Sequence, residues 1–278
     1  MFATAIIVFR EVLEAAILIG ILAAATRAVP RRTRWLLGGI AAGMVGAALV
    51  AVSTDRIAMA FSGVGQEIYN AAVLGTAVVM LAWHNLWMSS HGAVLAAEAR
   101  GVGQQIRDGR RECSVLLLVV GLAVLREGAE TVLFLYGIAT SAESGTRGML
   151  AGGLAGLTAG VIAGIALYTG LLRIPLRYLF KATSILVLFI AAGMASQATR
   201  FLIQADLLPS LAAPLWDTSG LLSQSSVLGV LMHGFIGYDA RPAGMQIVVY
   251  LLVLVSIGWA MKLAGRPKKV INEGGRKA

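Results

Sequence analysis

Phe9-Arg10-Glu11-Val12-Leu13-Glu14 sits inside an apolar stretch long enough to cross a membrane, where its three charged groups are costly. Leu125-Arg126-Glu127-Gly128-Ala129-Glu130 repeats the pattern, again within an apolar stretch. A charge in a bilayer core costs about 2.5 kcal/mol on insertion scales and more on others, so ionisable residues there default to a functional reading. Two copies of one expensive hexapeptide point to a site.

The surrounding chain has 278 residues, 58% of them hydrophobic and 13% charged, with a mean hydropathy of +0.81. That composition lies outside the range of soluble globular domains. Several apolar runs reach the roughly 20 residues a spanning helix needs, and the alternating segments of a membrane β-barrel are absent from the sequence. The fold class is an all-α integral membrane protein. Cys113 is the only cysteine, which excludes a disulfide framework and thiolate clusters. Met1 to Ala25 lacks a basic leading region and carries Arg10, Glu11 and Glu14, so it reads as a retained first helix rather than a signal peptide. With no evident nucleophile or catalytic dyad, the chain is not expected to be an enzyme.

Hydropathy places helices at about 2–25, 35–53, 66–88, 114–137, 148–172, 181–204 and 244–262. Counting the helix-end residues Lys181, Arg200 and Lys262 with the connections beside them, those after the first, third and fifth helices and the tail at about 263–278 hold seventeen basic residues, and the other connections hold four: Arg56, Arg147, Arg200 and Arg241. The positive-inside rule then puts the N-terminus outside and the C-terminus in the cytoplasm, which requires an odd number of spans, here seven. The net charge of +9 is therefore topology signal and contact with anionic lipid heads, not a nucleic-acid surface. Outside, Asp55, Glu67, Glu143, Asp206, Asp217 and Asp239 outnumber the arginines, a face mildly attractive to cations.

Arg10 and Arg126 are 116 residues apart, and Gly38-Gly39-Ile40-Ala41 is echoed by Gly152-Gly153-Leu154-Ala155 at an offset of 114. A single transmembrane domain thus divides into repeat 1 (about 2–88), repeat 2 (about 114–204), an outer segment (205–243) and a seventh helix. Three helices separate the copies, so the second enters from the opposite side, an inverted-topology repeat. Gly152, Gly156, Gly160 and Gly164, and Gly39, Gly43 and Ala47, form small-residue ridges for close helix contact. Residues 89–113 read as a polar basic loop that carries no recognisable chemistry, and a short interfacial or re-entrant helix is expected over Leu221 to Phe235.

On a helix, residues three and four apart share a face, so Arg10 and Glu11 both neighbour Glu14, and the second copy is alike. Folding the repeats together brings four carboxylates and two guanidiniums to the midplane, formally −2 when all are ionised. Oxygen ligands suit a hard cation, and each arginine holds a carboxylate in the empty state. Ferric iron, ferrous iron and manganese all fit such a site, and oxygen ligands alone do not rank them.

These residues resemble the signature of the oxidase-dependent iron permeases, Arg-Glu-Gly-x-Glu in the first and fourth of seven helices. The second copy matches fully, and Val12 replaces the usual glycine in the first. Gly63-Val64-Gly65-Gln66-Glu67, Trp87-Met88, Asp217-Thr218-Ser219 and Gly237-Tyr238-Asp239-Ala240-Arg241-Pro242 are also similar to that family. The resemblance implies iron import across the plasma membrane, the bacterial inner membrane, with no permanently bound cofactor and iron as substrate. It implies metal ligands Glu11, Glu14, Glu127 and Glu130, with Arg10 and Arg126 as charge partners. It also implies a separate extracytoplasmic oxidase or iron-binding partner, since this chain's three histidines make no copper cluster. Family members are assigned to other metals such as lead, and a non-transporting scaffold for an oxidase is the reading of a different class.

Glu67, Asp217 and Asp239 are accessory candidates at the outer entrance, against ordinary helix-start or loop solvation. His84 and His91, seven apart in the third helix, permit a cytoplasmic exit ligand or a hydrogen-bonding anchor. Trp35, Trp83 and Trp87 fit the aromatic belt on the cytoplasmic side.

Overall fold

The computed structural model describes residues 1–60, 65–141, 146–170, 176–224 and 226–264. Gly63, Val64, Glu143 and the basic tail beyond residue 264 lie outside them. The described residues form eight helices and no strand: α1 (Phe2–Ala25), α2 (Arg32–Ala60), α3 (Gln66–Arg107), α4 (Ser114–Ser141), α5 (Thr146–Tyr168), α6 (Leu176–Gln204), α7 (Val227–Ile236) and α8 (Gly244–Ala264). Parts of α2, α3, α5, α6 and α8 are long and apolar enough to cross a membrane. By length α1 and α4 are comparable, at 24 and 28 residues, but each carries three charges near its middle.

Glycine decides which helices pair. α5 lies along α1, and α2 lies along α4. A Cβ added at Gly160 would come 2.8 Å from Val12 Cγ1 and 3.1 Å from the Phe9 carbonyl oxygen. One added at Gly43 would come 2.7 Å from the Gly121 carbonyl oxygen. Backbones this close exclude any side chain at those positions, which is how small residues hold membrane helices together. The outer faces of α2 and α5 expose Leu37, Met44, Leu49, Leu150, Leu154 and Ile162, a surface for lipid.

Two apolar clusters fill the interior. Ile7, Leu74, Leu81, Phe134, Val187, Ile190 and Ile257 join α1, α3, α4, α6 and α8. Leu22, Leu36, Ala99, Ile106, Leu116 and Val120 join the far end of α1 to α2, α3 and α4. Along α1 the first charged hexapeptide falls between Ile7 and Leu22, and along α4 the second falls between Val120 and Phe134. The charges are thus layered between two dry cores.

α3 departs most from expectation. Its apolar part, Gln66–Met88, coincides with the anticipated span, but the helix continues without a break to Arg107. At 1.5 Å per residue its 42 residues reach about 63 Å, roughly twice a hydrocarbon core. The stretch read as a loop over 89–113 is therefore mostly helix. Ala99 and Ile106 bury one face of it against Leu22 and Leu116, which hydropathy alone does not reveal.

In the outer segment the short helix is α7, starting later than anticipated. Ser226 caps it, its Oγ accepting from the Gly229 N–H at 3.0 Å. Gly237 closes it at φ 71°, tight against Gly193 of α6. Ten residues rise only about 15 Å, too short to span. Phe235 stacks on Phe2 with ring centroids 5.6 Å apart, so α7 rests beside the N-terminal end of α1.

Candidate metal site

Both hexapeptides come together between the two cores. In α1 the Arg10 Nε lies 3.1 Å from Glu14 Oε1, and its Nη1 lies 3.6 Å from Glu11 Oε1. In α4 the Arg126 Nε donates to Glu130 Oε1 at 3.0 Å and stands 3.7 Å from Glu127 Oε1. The i to i+4 spacing produces the Arg–Glu pair in each copy, and the packing of α1 on α4 brings the copies face to face.

His84 of α3 sits between them. Its Nε2 is 3.7 Å from Glu11 Oε2 and 3.3 Å from Glu14 Oε2, and its Nδ1 contacts Glu130 Oε2. Glu11, His84, Glu127 and Glu130 each offer one ligand atom, all within 4.8 Å of one another. Neither oxygen of Glu11, nor Glu127 Oε2, receives a hydrogen bond among the described residues. Buried carboxyl oxygens without donors, gathered on one point, are what a cation would satisfy.

The copies differ in burial. Arg10 and Glu11 are each 1% exposed, whereas the Arg126 side chain is 37% exposed. The Arg126 guanidinium lies over the Trp87 ring, 4.6 Å from its centroid. Beside it, Val79, Met80, Trp83, His84, Trp87, Arg126 and Glu130 line a cavity of about 330 Å³.

The iron permease FTR1 family matches residues 1–265. The chain belongs to that family. Among its relatives, the ferrous iron permease EfeU of Yersinia pestis is 30% identical over 260 residues, covering 92% of this chain and 91% of the relative. The proteins of that name from Escherichia coli (strain 536 / UPEC) and Shigella sonnei are each 32% identical, covering 92% of this chain and 93% of theirs. No solved structure matches. As a family member the chain is a membrane permease of an iron-transporting family, not an enzyme.

The residues of the two hexapeptides, Arg10, Glu11, Glu14, Arg126, Glu127 and Glu130, are thus brought together, and the accessory candidates are not among them. Glu67 is exposed in the first turn of α3, about 25 Å along that helix from His84. Asp217 bonds the Ser219 hydroxyl at 2.5 Å and its N–H at 3.0 Å, and pairs with Arg241 at 3.0 Å. These donors hold its carboxyl at about 2, below the ordinary range. Asp239 accepts from the Arg241 N–H at 3.0 Å. Both aspartates tie the outer segment to itself.

His84 lies near Met88, the end of the apolar part of α3, a position that from sequence reads as an interface. Trp83 and Trp87 line the cavity beside it rather than serving only as belt residues. His91, the other histidine of that pair, is exposed and stacks on Trp87 with centroids 5.1 Å apart. The signal for His84 is its company: an imidazole on a helix that packs on both motif helices.

Proposed function

We propose that the chain imports iron in the ferrous state across the bacterial inner membrane, through one site made by both Arg-Glu-x-x-Glu motifs. The observation that carries the reading is the meeting of two motifs 116 residues apart at one buried point with unsatisfied carboxyl oxygens. The names of the relatives, ferrous iron permeases, support the ion and its oxidation state. Glu11, Glu127 and Glu130 stand nearest the shared point, and Glu14 joins them when Arg10 releases it. Binding is then an exchange in which the ion replaces a guanidinium, so the empty site is never left as bare buried charge.

In this reading seven helices span: α1 to α6 and α8, with the N-terminus outside and the C-terminus in the cytoplasm. Helix pairing supports two inverted repeats. α1 of the first rests on α5 of the second, and α4 of the second rests on α2 of the first, the same contact exchanged. The apolar cores on either side make the site an occluded one, opened to each face in turn. Of the two partners the family resemblance implies, an extracytoplasmic iron-binding protein suits ferrous delivery, since the product of an oxidase is ferric.

Purified protein reconstituted alone into liposomes tests the reading, supplied anaerobically with ferrous iron or aerobically with ferric citrate. Ferrous uptake without a partner is expected. Uptake of ferric iron only, or none of either, contradicts it, the latter favouring a scaffold.

A further inference from the structure

We propose that His84 is a nitrogen ligand of the transported ion and that it sets the ion's class, a divalent transition metal rather than a hard ion such as magnesium or calcium. The inference rests on the carboxylate site proposed above and adds to it a donor from outside both motifs. The His84 side chain is 3% exposed, and both ring nitrogens point at carboxylates: Nε2 toward Glu11 and Glu14, Nδ1 toward Glu130. An imidazole buried for packing needs one acceptor and one donor, and here it has carboxylates from both motifs around it. In the empty site both nitrogens face carboxylates; an entering ion takes one nitrogen in place of its proton, while the other stays on a carboxylate that orients the ring, as at metal-binding histidines.

The donor set then becomes Glu11, Glu127 and Glu130 with one imidazole, four atoms already within 4.8 Å of one another. Glu14, 3.1 Å from Arg10 and 3.3 Å from the ring, steadies the imidazole until Arg10 releases it. Carboxylates alone favour hard ions such as magnesium, calcium and manganese, while imidazole favours iron and its neighbours, so the single histidine provides the discrimination. The repeat offers no second imidazole: 116 positions beyond His84 stands Arg200, exposed in α6.

The test uses the full-length protein in detergent with Mn²⁺ as the probe, read by pulsed electron paramagnetic resonance for coupling to ¹⁴N. Coupling is expected in the wild type and in His91→Gln and His233→Gln, and its loss is expected in His84→Gln. Affinity for Co²⁺ relative to Ca²⁺ should fall at least about tenfold in His84→Gln, the scale on which even outer partners of a metal act. Should His84→Gln fail to fold, the His91→Gln/His233→Gln double variant carrying ¹⁵N-histidine leaves His84 as the sole labelled imidazole. Replacement of ¹⁴N by ¹⁵N coupling then supports the assignment. Mn²⁺ binding that requires Glu11 and Glu127 but shows no nitrogen coupling overturns the role of His84 and leaves the carboxylate site standing. Binding that is absent, or indifferent to Glu11→Gln and Glu127→Gln, overturns both.

Discussion

The two hexapeptides are nearly the same sequence and form the same internal Arg–Glu pair, yet one is sealed and the other is half open. α1 packs against α3, α4, α5, α6 and α7, and its Arg10 is 1% exposed. α4 leaves Arg126 37% exposed, with Trp87 across one face of the guanidinium and a cavity of about 330 Å³ alongside. Duplication therefore supplies matching side chains, while unequal packing gives them different surroundings. The sealed copy is walled in by other helices, and the cavity stands at the door of the open copy.

The largest expected contrast is in stability. Arg10→Gln strands buried carboxylates and should cost about 3–5 kcal/mol, whereas Arg126→Gln, at a partly exposed pair, should cost about 1 kcal/mol or less. Denaturation of both variants in detergent measures this, and equal losses would break the distinction between wall and door.

A smaller contrast concerns access. In a Cys113→Ser background, Val79→Cys and Trp83→Cys should react with a thiol reagent and be protected by bound ion. Ile7→Cys and Leu13→Cys, buried at 0% exposure, should not react. Labelling of Leu13→Cys at the rate of Trp83→Cys would mean that the first copy opens as readily as the second.

The smallest effect belongs to the outer aspartates. With its pKa held at about 2, below the ordinary carboxylate value of about 3.9, Asp217 stays ionised in the fold. Its contribution is complete above the ordinary value and is lost as pH falls through about 2. Protease resistance of the outer segment should therefore hold from pH 7 to about 4, and the acid-dependent loss should vanish in Asp217→Asn. Ion binding in that variant should match the wild type, and weakened binding would restore Asp217 as a collecting group.

The helical class and the motif residues were legible because charges inside apolar runs are rare and leave a trace in any sequence. The partners of the glycine ridges were less so: Gly43 and Gly160 announce close packing, but nothing local says that each faces a helix 80 to 150 residues away. α3 was misjudged past Met88 because hydropathy senses lipid, whereas helix continuation there depends on Ala99 and Ile106 finding α1 and α4. Arg126's exposure was illegible in principle, since its sequence environment resembles that of Arg10 and only tertiary packing separates them.

The central claim is that the two copies make one site rather than two. Anaerobic calorimetric titration of the purified chain with Fe²⁺ measures this directly. One ion per chain is expected, with binding abolished by Glu11→Gln alone and equally by Glu127→Gln alone. Two ions per chain, or a variant that loses half the sites and keeps the rest, would contradict it.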